Sequence, residues 1–191
     1  TVHPRDLAVF ADAASRPYGQ SNPPLTLHYG AFAYDDNASS LGAQPYAYTA
    51  ATASSPTGTY EVNATGGASP DYHFVYHGSI LAVGTSGQSI AGFAPDLNAT
   101  YGDLPLDLNA SATSGLPVDY SSSNPDVLEV NGTRLEIRGA GQATIYAHQS
   151  GDGNHDPAFD LNATITVHPR DLNVFADAAS RPYGQSNPPL T

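Results

Sequence analysis

The chain contains no cysteine, methionine, tryptophan or lysine. Without cysteine there are no disulfide staples and no thiolate metal sites, a usage compatible with export. Only six arginines face 18 acidic residues, giving a net charge of −12. Phosphate backbones need a basic patch, so a nucleic-acid partner is excluded. An anionic membrane surface is disfavoured for the same reason. No apolar run approaches the roughly 20 residues that cross a bilayer, so this segment is not expected to insert. No window holds a helical period. The missing lysine fits either a solvated acidic surface or a compositional bias. Serine, histidine and aspartate are all present, but no Gly-x-Ser-x-Gly elbow appears, and no catalytic residue is expected. What is present suffices for packed cores: 40% hydrophobic residues, with 12 tyrosines and 6 phenylalanines beside 18 glycines and 16 prolines. That composition argues against disorder.

A long internal duplication organises the rest. Residues 1–26 read TVHPRDLAVFADAASRPYGQSNPPLT, and residues 166–191 repeat them with one change, Ala8 against Asn173. The offset, 166 − 1 = 165 residues, marks a tandem array. It is too long for a solenoid repeat of about 20–50 residues and suits one or two folded domains per unit. With no initiator methionine, signal peptide or stop-transfer segment, the ends read as limits within a longer protein.

The chain alternates short strands and turns. Period-two alternation covers residues 7–11, 59–63, 72–83, 127–130, 134–138 and 143–147. Between them lie turn signals, among them Asn22-Pro23-Pro24, Ser55-Pro56-Thr57-Gly58, Gly66-Gly67 and Gly139-Ala140-Gly141. Asn131-Gly132 between two alternating runs predicts a hairpin with a type I′ turn. Strands at this spacing predict an all-β chain of tandem immunoglobulin-like β-sandwich domains. A boundary is expected after Ile80-Leu81-Ala82-Val83. It divides the chain into a sandwich over 1–84, a second over 85–166, and the start of a further copy over 167–191. A Tyr-Gly turn opens each half, at Tyr18-Gly19 and Tyr101-Gly102.

Ala14-Ser15-Arg16-Pro17-Tyr18-Gly19-Gln20-Ser21-Asn22-Pro23-Pro24-Leu25-Thr26 and the run Ala53 to Tyr60 resemble the MBG-type domain of large bacterial surface proteins. In the second half, Ala99-Thr100-Tyr101-Gly102-Asp103, Ser121-Ser122-Ser123-Asn124-Pro125-Asp126-Val127 and Gly139-Ala140-Gly141-Gln142-Ala143-Thr144-Ile145 are similar to a bacterial immunoglobulin-like domain. The resemblance implies a spacer or adhesin module with no catalytic residues to transfer.

Six Asn-x-Ser/Thr sequons occur, at Asn37, Asn63, Asn98, Asn109, Asn131 and Asn162. With 9 asparagines and 29 serines and threonines in 165 residues, chance predicts about 9 × 29/165, or roughly 1.6. Two residues before each asparagine stands an acid: Asp35, Glu61, Asp96, Asp107, Glu129 and Asp160. Asp/Glu-x-Asn-x-Ser/Thr resembles the acceptor of bacterial oligosaccharyltransferases, which act on the periplasmic side of Gram-negative cells. In a strand, acid, asparagine and hydroxyl share one face, as in Asp96-Leu97-Asn98-Ala99-Thr100, Asp107-Leu108-Asn109-Ala110-Ser111 and Asp160-Leu161-Asn162-Ala163-Thr164. An ordinary polar-out strand face explains the alternation but not the fixed order of residue types.

Other constellations are weaker. Asp152, Asn154 and Asp156 have the spacing of a calcium loop's first ligands. No glutamate follows at the bidentate position, so a turn closed by Asx hydrogen bonds is expected and no metal or other cofactor. His73 and His77 share a strand face without a visible third ligand, which falls short of a zinc site. The tyrosines are expected in cores, with hydroxyls reaching partners. The expectation is therefore a structural repeat of a heavily N-glycosylated, non-enzymatic surface protein, secreted or on the cell surface of a Gram-negative bacterium. It would form a stalk or filament, its partners being neighbouring repeats or identical chains. The competing reading is an adhesin module that binds a host, cell-surface or glycan ligand.

Overall fold

The computed structural model describes residues 3–93, 98–187 and 189. Sixteen strands and one short 3-10 turn make up its regular structure, and no described residue is α-helical. The all-β expectation holds. The chain divides into two compact units that interleave in sequence. The first comprises Thr1–Gly92, Ala110–Asp119 and Ala147–Leu161; the second comprises Phe93–Asn109, Tyr120–Tyr146 and Asn162–Thr191.

In the first unit, β1 (Arg5–Ala11) lies between β3 (Leu27–Tyr29) and β6 (Tyr72–His77). A four-stranded sheet runs β2 (Ala14–Pro17), β7 (Ser79–Gly84), β5 (Gly58–Ala68) and β4 (Ala43–Thr49). The opening segment serves both sheets, since β1 pairs parallel to β6 and β2 parallel to β7. Alternation in β1 sends Leu7, Val9 and Ala11 inward. Ala11 joins Val62, Leu81 and Val83 from the larger sheet in one core, so the two sheets form a sandwich. Leu7, Leu41 and Tyr72 form a second cluster. Residues 72–83 make two strands. Gly78 separates β6 from β7, which lies in the other sheet, and a Cβ there would lie 3.1 Å from the Val62 carbonyl oxygen. Gly66-Gly67 is not the turn expected. Both lie inside β5 with φ of 77° and 80°, leaving room for the Tyr46 ring and for Pro45 and Phe74. A short pair, β8 (Ile90–Ala91) with β11 (Ser111–Ala112), completes the unit's strands.

In the second unit, β10 (Leu106–Asp107), β14 (Arg134–Ile137) and β13 (Leu128–Asn131) form one sheet. The other is ordered β12 (Asp119–Ser122), β15 (Gly141–His148), β16 (Leu161–His168) and β9 (Asn98–Thr100). Leu128 and Leu135 from the first sheet meet Ile145, Ile165 and Val167 from the second, again a two-sheet sandwich. The hairpin β13–β14 forms where expected, but its turn is Gly132-Thr133, with Asn131 paired to Arg134. Gly132 has φ of 62°, while neither Asn131 nor Thr133 has a positive φ. A glycine at the first central position is the pattern of a type II′ turn, not the type I′ turn expected.

Three Tyr-Gly turns share one geometry. Gly19, Gly102 and Gly184 have φ of 79°, 89° and 83°. In each, the residue after glycine donates its backbone N–H to the carbonyl three residues back, at Pro17, Thr100 and Pro182. Glycine third in the turn with positive φ is the type II arrangement.

Candidate modification sites

Five of the six sequon asparagines, Asn37, Asn98, Asn109, Asn131 and Asn162, are exposed. Asn37 caps the 3-10 turn Ala38–Ser40. Its Oδ1 accepts from the Ser39 N–H at 2.9 Å and from the Ser39 hydroxyl at 2.5 Å. Ser39 is the sequon's own hydroxyl residue, so acceptor and hydroxyl are already joined. These bonds leave the amide nitrogen, the atom an N-glycan bonds, outside them. Asn98 opens β9 and Asn162 lies in β16, and the alanine after each is buried at 6% and 4% exposure. The alternating face thus holds at both. Asp96 lies outside the described residues.

Asn109 departs from expectation. Residues 107–111 do not form one strand, because β10 ends at Asp107 and β11 begins at Ser111. β10 pairs with β14, whereas β11 pairs with β8, so the asparagine sits on an exposed crossover. Asn131 ends β13, immediately before the hairpin turn. Asn63 is the exception in exposure, half-buried in the middle of β5, opposite Tyr48. Its amide nitrogen donates to Glu61 Oε2 at 3.5 Å. Peptide-level occupancy measured on native protein is therefore expected to be lowest at Asn63; equal occupancy there would show modification before folding.

Asp35, Glu61, Asp107, Glu129 and Asp160 are exposed. Two of them hold basic partners. Arg138 bonds Glu129 at 2.6 Å and Glu136 at 2.6 Å, and Glu129 is the main cause that raises the arginine's pKa above its ordinary value. Asp160 meets His148 Nδ1 at 2.6 Å. Exposed pairs of this kind are weak, so either acid can be released to another cation.

The loop at 152–156 is a polar turn. Asp152 Oδ1 accepts from the backbone N–H of Asn154 and of His155, both at 2.8 Å, and contacts His155 Nδ1 at 2.8 Å. Asn154 Oδ1 accepts from the Thr57 N–H, and Asp156 Oδ1 from the Thr85 hydroxyl. The three oxygens spaced like calcium ligands thus serve as hydrogen-bond acceptors within the first unit. His73 meets Asp6 at 3.1 Å, whereas His77 stacks on Phe10 at 4.5 Å, so the two histidines have different partners.

Some structural polar groups carried no sequence signal. Arg16 is buried at 6% exposure, donating to Asn22 Oδ1 at 2.7 Å and to the carbonyls of Pro17 and Thr52. Asn22 in turn donates to the Ala51 carbonyl at 2.6 Å. In the first copy the Ser-Arg-Pro-Tyr-Gly-Gln-Ser-Asn string, residues 15–22, is therefore a clamp. Asp12 accepts from the Thr26 hydroxyl at 2.6 Å and contacts His28 at 2.5 Å. The Thr26 bond, then His28, holds the Asp12 carboxyl below the ordinary value of 3.8. Asp152 lies below it too, chiefly through the Asn154 N–H. The unfolded chain binds protons at these carboxyls more readily than the folded chain. Their contribution to stability is complete at neutral pH and is lost as pH falls below the ordinary value of 3.8. Thermal melts followed by circular dichroism are expected to show this acid loss. It should flatten in Asp12→Asn/Asp152→Asn; an unchanged pH profile would contradict it.

The strands and two cores place the chain among all-β modules built of two-sheet sandwiches. Residues 7–82 match the family model described as MBG domain (YGX type). Tyr18-Gly19-Gln20 lies within it. No curated protein matches the chain. Similar solved structures include Drosophila N-cadherin EC1-3, at 8% identity and a TM-score of 0.35, covering 88% of this chain and 69% of that one. Human mucin-like protocadherin EC1-2 has 10% identity and a TM-score of 0.35, covering 86% and 98%. A C-terminal intimin fragment, solved with the intimin-binding domain of the translocated intimin receptor, has 16% identity and a TM-score of 0.31, covering 84% and 63%. Among the described residues no helix is long and apolar enough to cross a membrane.

Proposed function

We propose that the chain is a structural repeat of an N-glycosylated, non-enzymatic extracellular surface protein of a Gram-negative bacterium. In this reading each 165-residue unit carries two sandwiches, and the copies join into a stalk or filament. Its partners are neighbouring repeats or identical chains. The observation that carries the reading is the acid at −2 in six of six sequons, with five of the six asparagines exposed. The MBG-domain match over residues 7–82 supports a surface module. Near-identical copies suit a spacer, in which every unit does the same mechanical work, better than a binding head, which needs to appear only once. Binding of the 191-residue chain to a glycan array and to cell surfaces tests this. Weak or no binding is expected; tight, saturable binding to one ligand would favour the adhesin reading.

A further inference from the structure

The duplicated string Thr-Val-His-Pro-Arg-Asp-Leu is seen in two settings. At 166–172 it closes the second unit's sandwich. Thr166, Val167 and His168 pair parallel with Asn98, Ala99 and Thr100, and Val167 is buried. The Tyr101 N–H donates to the His168 carbonyl at 2.9 Å. Arg170 then lies over the turn, where a Cβ built on Gly102 would be 2.9 Å from its Nη1. At 3–7 the described part of the same string, His-Pro-Arg-Asp-Leu, opens the first unit's sandwich. Arg5 begins β1 and donates its N–H to the Asp71 carbonyl at 2.9 Å. His3 and Arg5 line a cavity of about 700 Å³ together with Tyr34, Asp36, Asp71 and Tyr72.

An internal copy in an array occupies both settings at once. Its histidine is the last paired residue of one sandwich, and its arginine is the first residue of β1 in the next. One proline with a fixed φ separates them, and two successive Cα steps span at most about 7.6 Å. The turn bonded to the histidine and the cavity lined by the arginine therefore flank a link of at most about 7.6 Å. On one side is the turn carrying Tyr101 and Leu104, 49% and 84% exposed. On the other is the cavity and Tyr34, which is fully exposed and has a φ of 50°. Positive φ is costly for a tyrosine and is kept where surroundings or function require it.

We propose that the turn at 101–104 of one unit seats in the His3/Arg5/Tyr34 cavity of the following unit, with the shared arginine between them. The occupant is thus a second copy of this chain's own sequence. Burial of Leu104 and Tyr101 against Tyr34 and Tyr72 makes the junction a packed joint instead of a free hinge. This inference rests on the tandem reading proposed above.

The test uses a recombinant chain of two consecutive units, in which the native absence of cysteine gives a silent background. Leu104→Cys is placed in the first unit and Tyr34→Cys in the second, and a short bismaleimide is added. A gel-mobility shift from an internal cross-link is expected. The control pairs Leu104→Cys with Ser54→Cys of the second unit. Ser54 lies in the loop held by Arg16, at the far end of the β1–β2 run from Arg5, and should give no shift. Equal cross-linking of both pairs, or none for the Tyr34 pair in a chain whose melting shows folded sandwiches, would overturn the joint. Leu104→Asp in the first unit is a second reading. It should lower the melting midpoint of the two-unit chain and leave the 191-residue chain unchanged; no shift in the two-unit chain would also overturn it. These results do not depend on sugars or on native assembly, so failure of the joint is distinguishable from failure of the glycosylated-array reading.

Discussion

Replacing Asp35, Glu61, Asp96, Asp107, Glu129 and Asp160 by alanine is expected to strip the protein of N-linked sugar while leaving it folded. The acceptor asparagines and their hydroxyl partners all remain, so an enzyme that reads only Asn-x-Ser/Thr would be unaffected. An enzyme that needs the acid would lose every site. Five of the acids are exposed, and none of these five belongs to the three core clusters. Surface changes of this kind usually shift stability by no more than about 0.5 kcal/mol each. Glu129 and Asp160 have further roles through Arg138 and His148, but both pairs are solvent-facing. Intact mass in a glycosylation-competent host reads the result. Conservative exchanges such as Glu61→Asp should keep the sugar, and retention of full mass in the six-alanine variant would remove the acid from the account.

The second large effect comes from one position in its two copies. Leu7 is 1% exposed and Leu172 is 86% exposed, although their surrounding sequence is nearly the same. Leu7→Ala removes a leucine packed with Leu41 and Tyr72, with Tyr29 and Phe74 beside them. Such truncations cost about 2–5 kcal/mol. For a domain of this size that lowers the melting midpoint by roughly 10–25 °C. Leu172→Ala in the 191-residue chain should change stability by less than about 0.5 kcal/mol. Val9 and Val174 show the same contrast, at 0% and 85% exposure. Calorimetry of the two leucine variants separates the contexts; equal losses would mean that the second copy is packed as well.

That contrast also explains what could be read from sequence. The Tyr-Gly turn forms in both copies, because its hydrogen bond spans four residues and needs only a glycine at positive φ. The strand 5–11 forms only where β3 and β6 supply partners; residues 169–182 of the second copy are not in strands. Period-two runs located β1, β5, β13, β14 and β15, whose inward faces are continuous. β4 escaped because Pro45 interrupts its pattern, which an edge strand tolerates. Gly66-Gly67 reads as a turn from sequence, yet inside β5 its glycines leave room for bulky neighbours in β4 and β6. The sequons were legible as a fixed order of residue types. Their accessibility was not, since the half-burial of Asn63 and the crossover at Asn109 depend on which strands lie opposite. The Arg16–Asn22 clamp was hidden because its acceptors include backbone oxygens 36 and 29 residues away.

The most direct test of the central claim is glycopeptide mass spectrometry on protein taken from its native source. The account predicts sugar on Asn37, Asn98, Asn109, Asn131 and Asn162, with Asn63 lowest. Unmodified asparagine at most of these positions would contradict it.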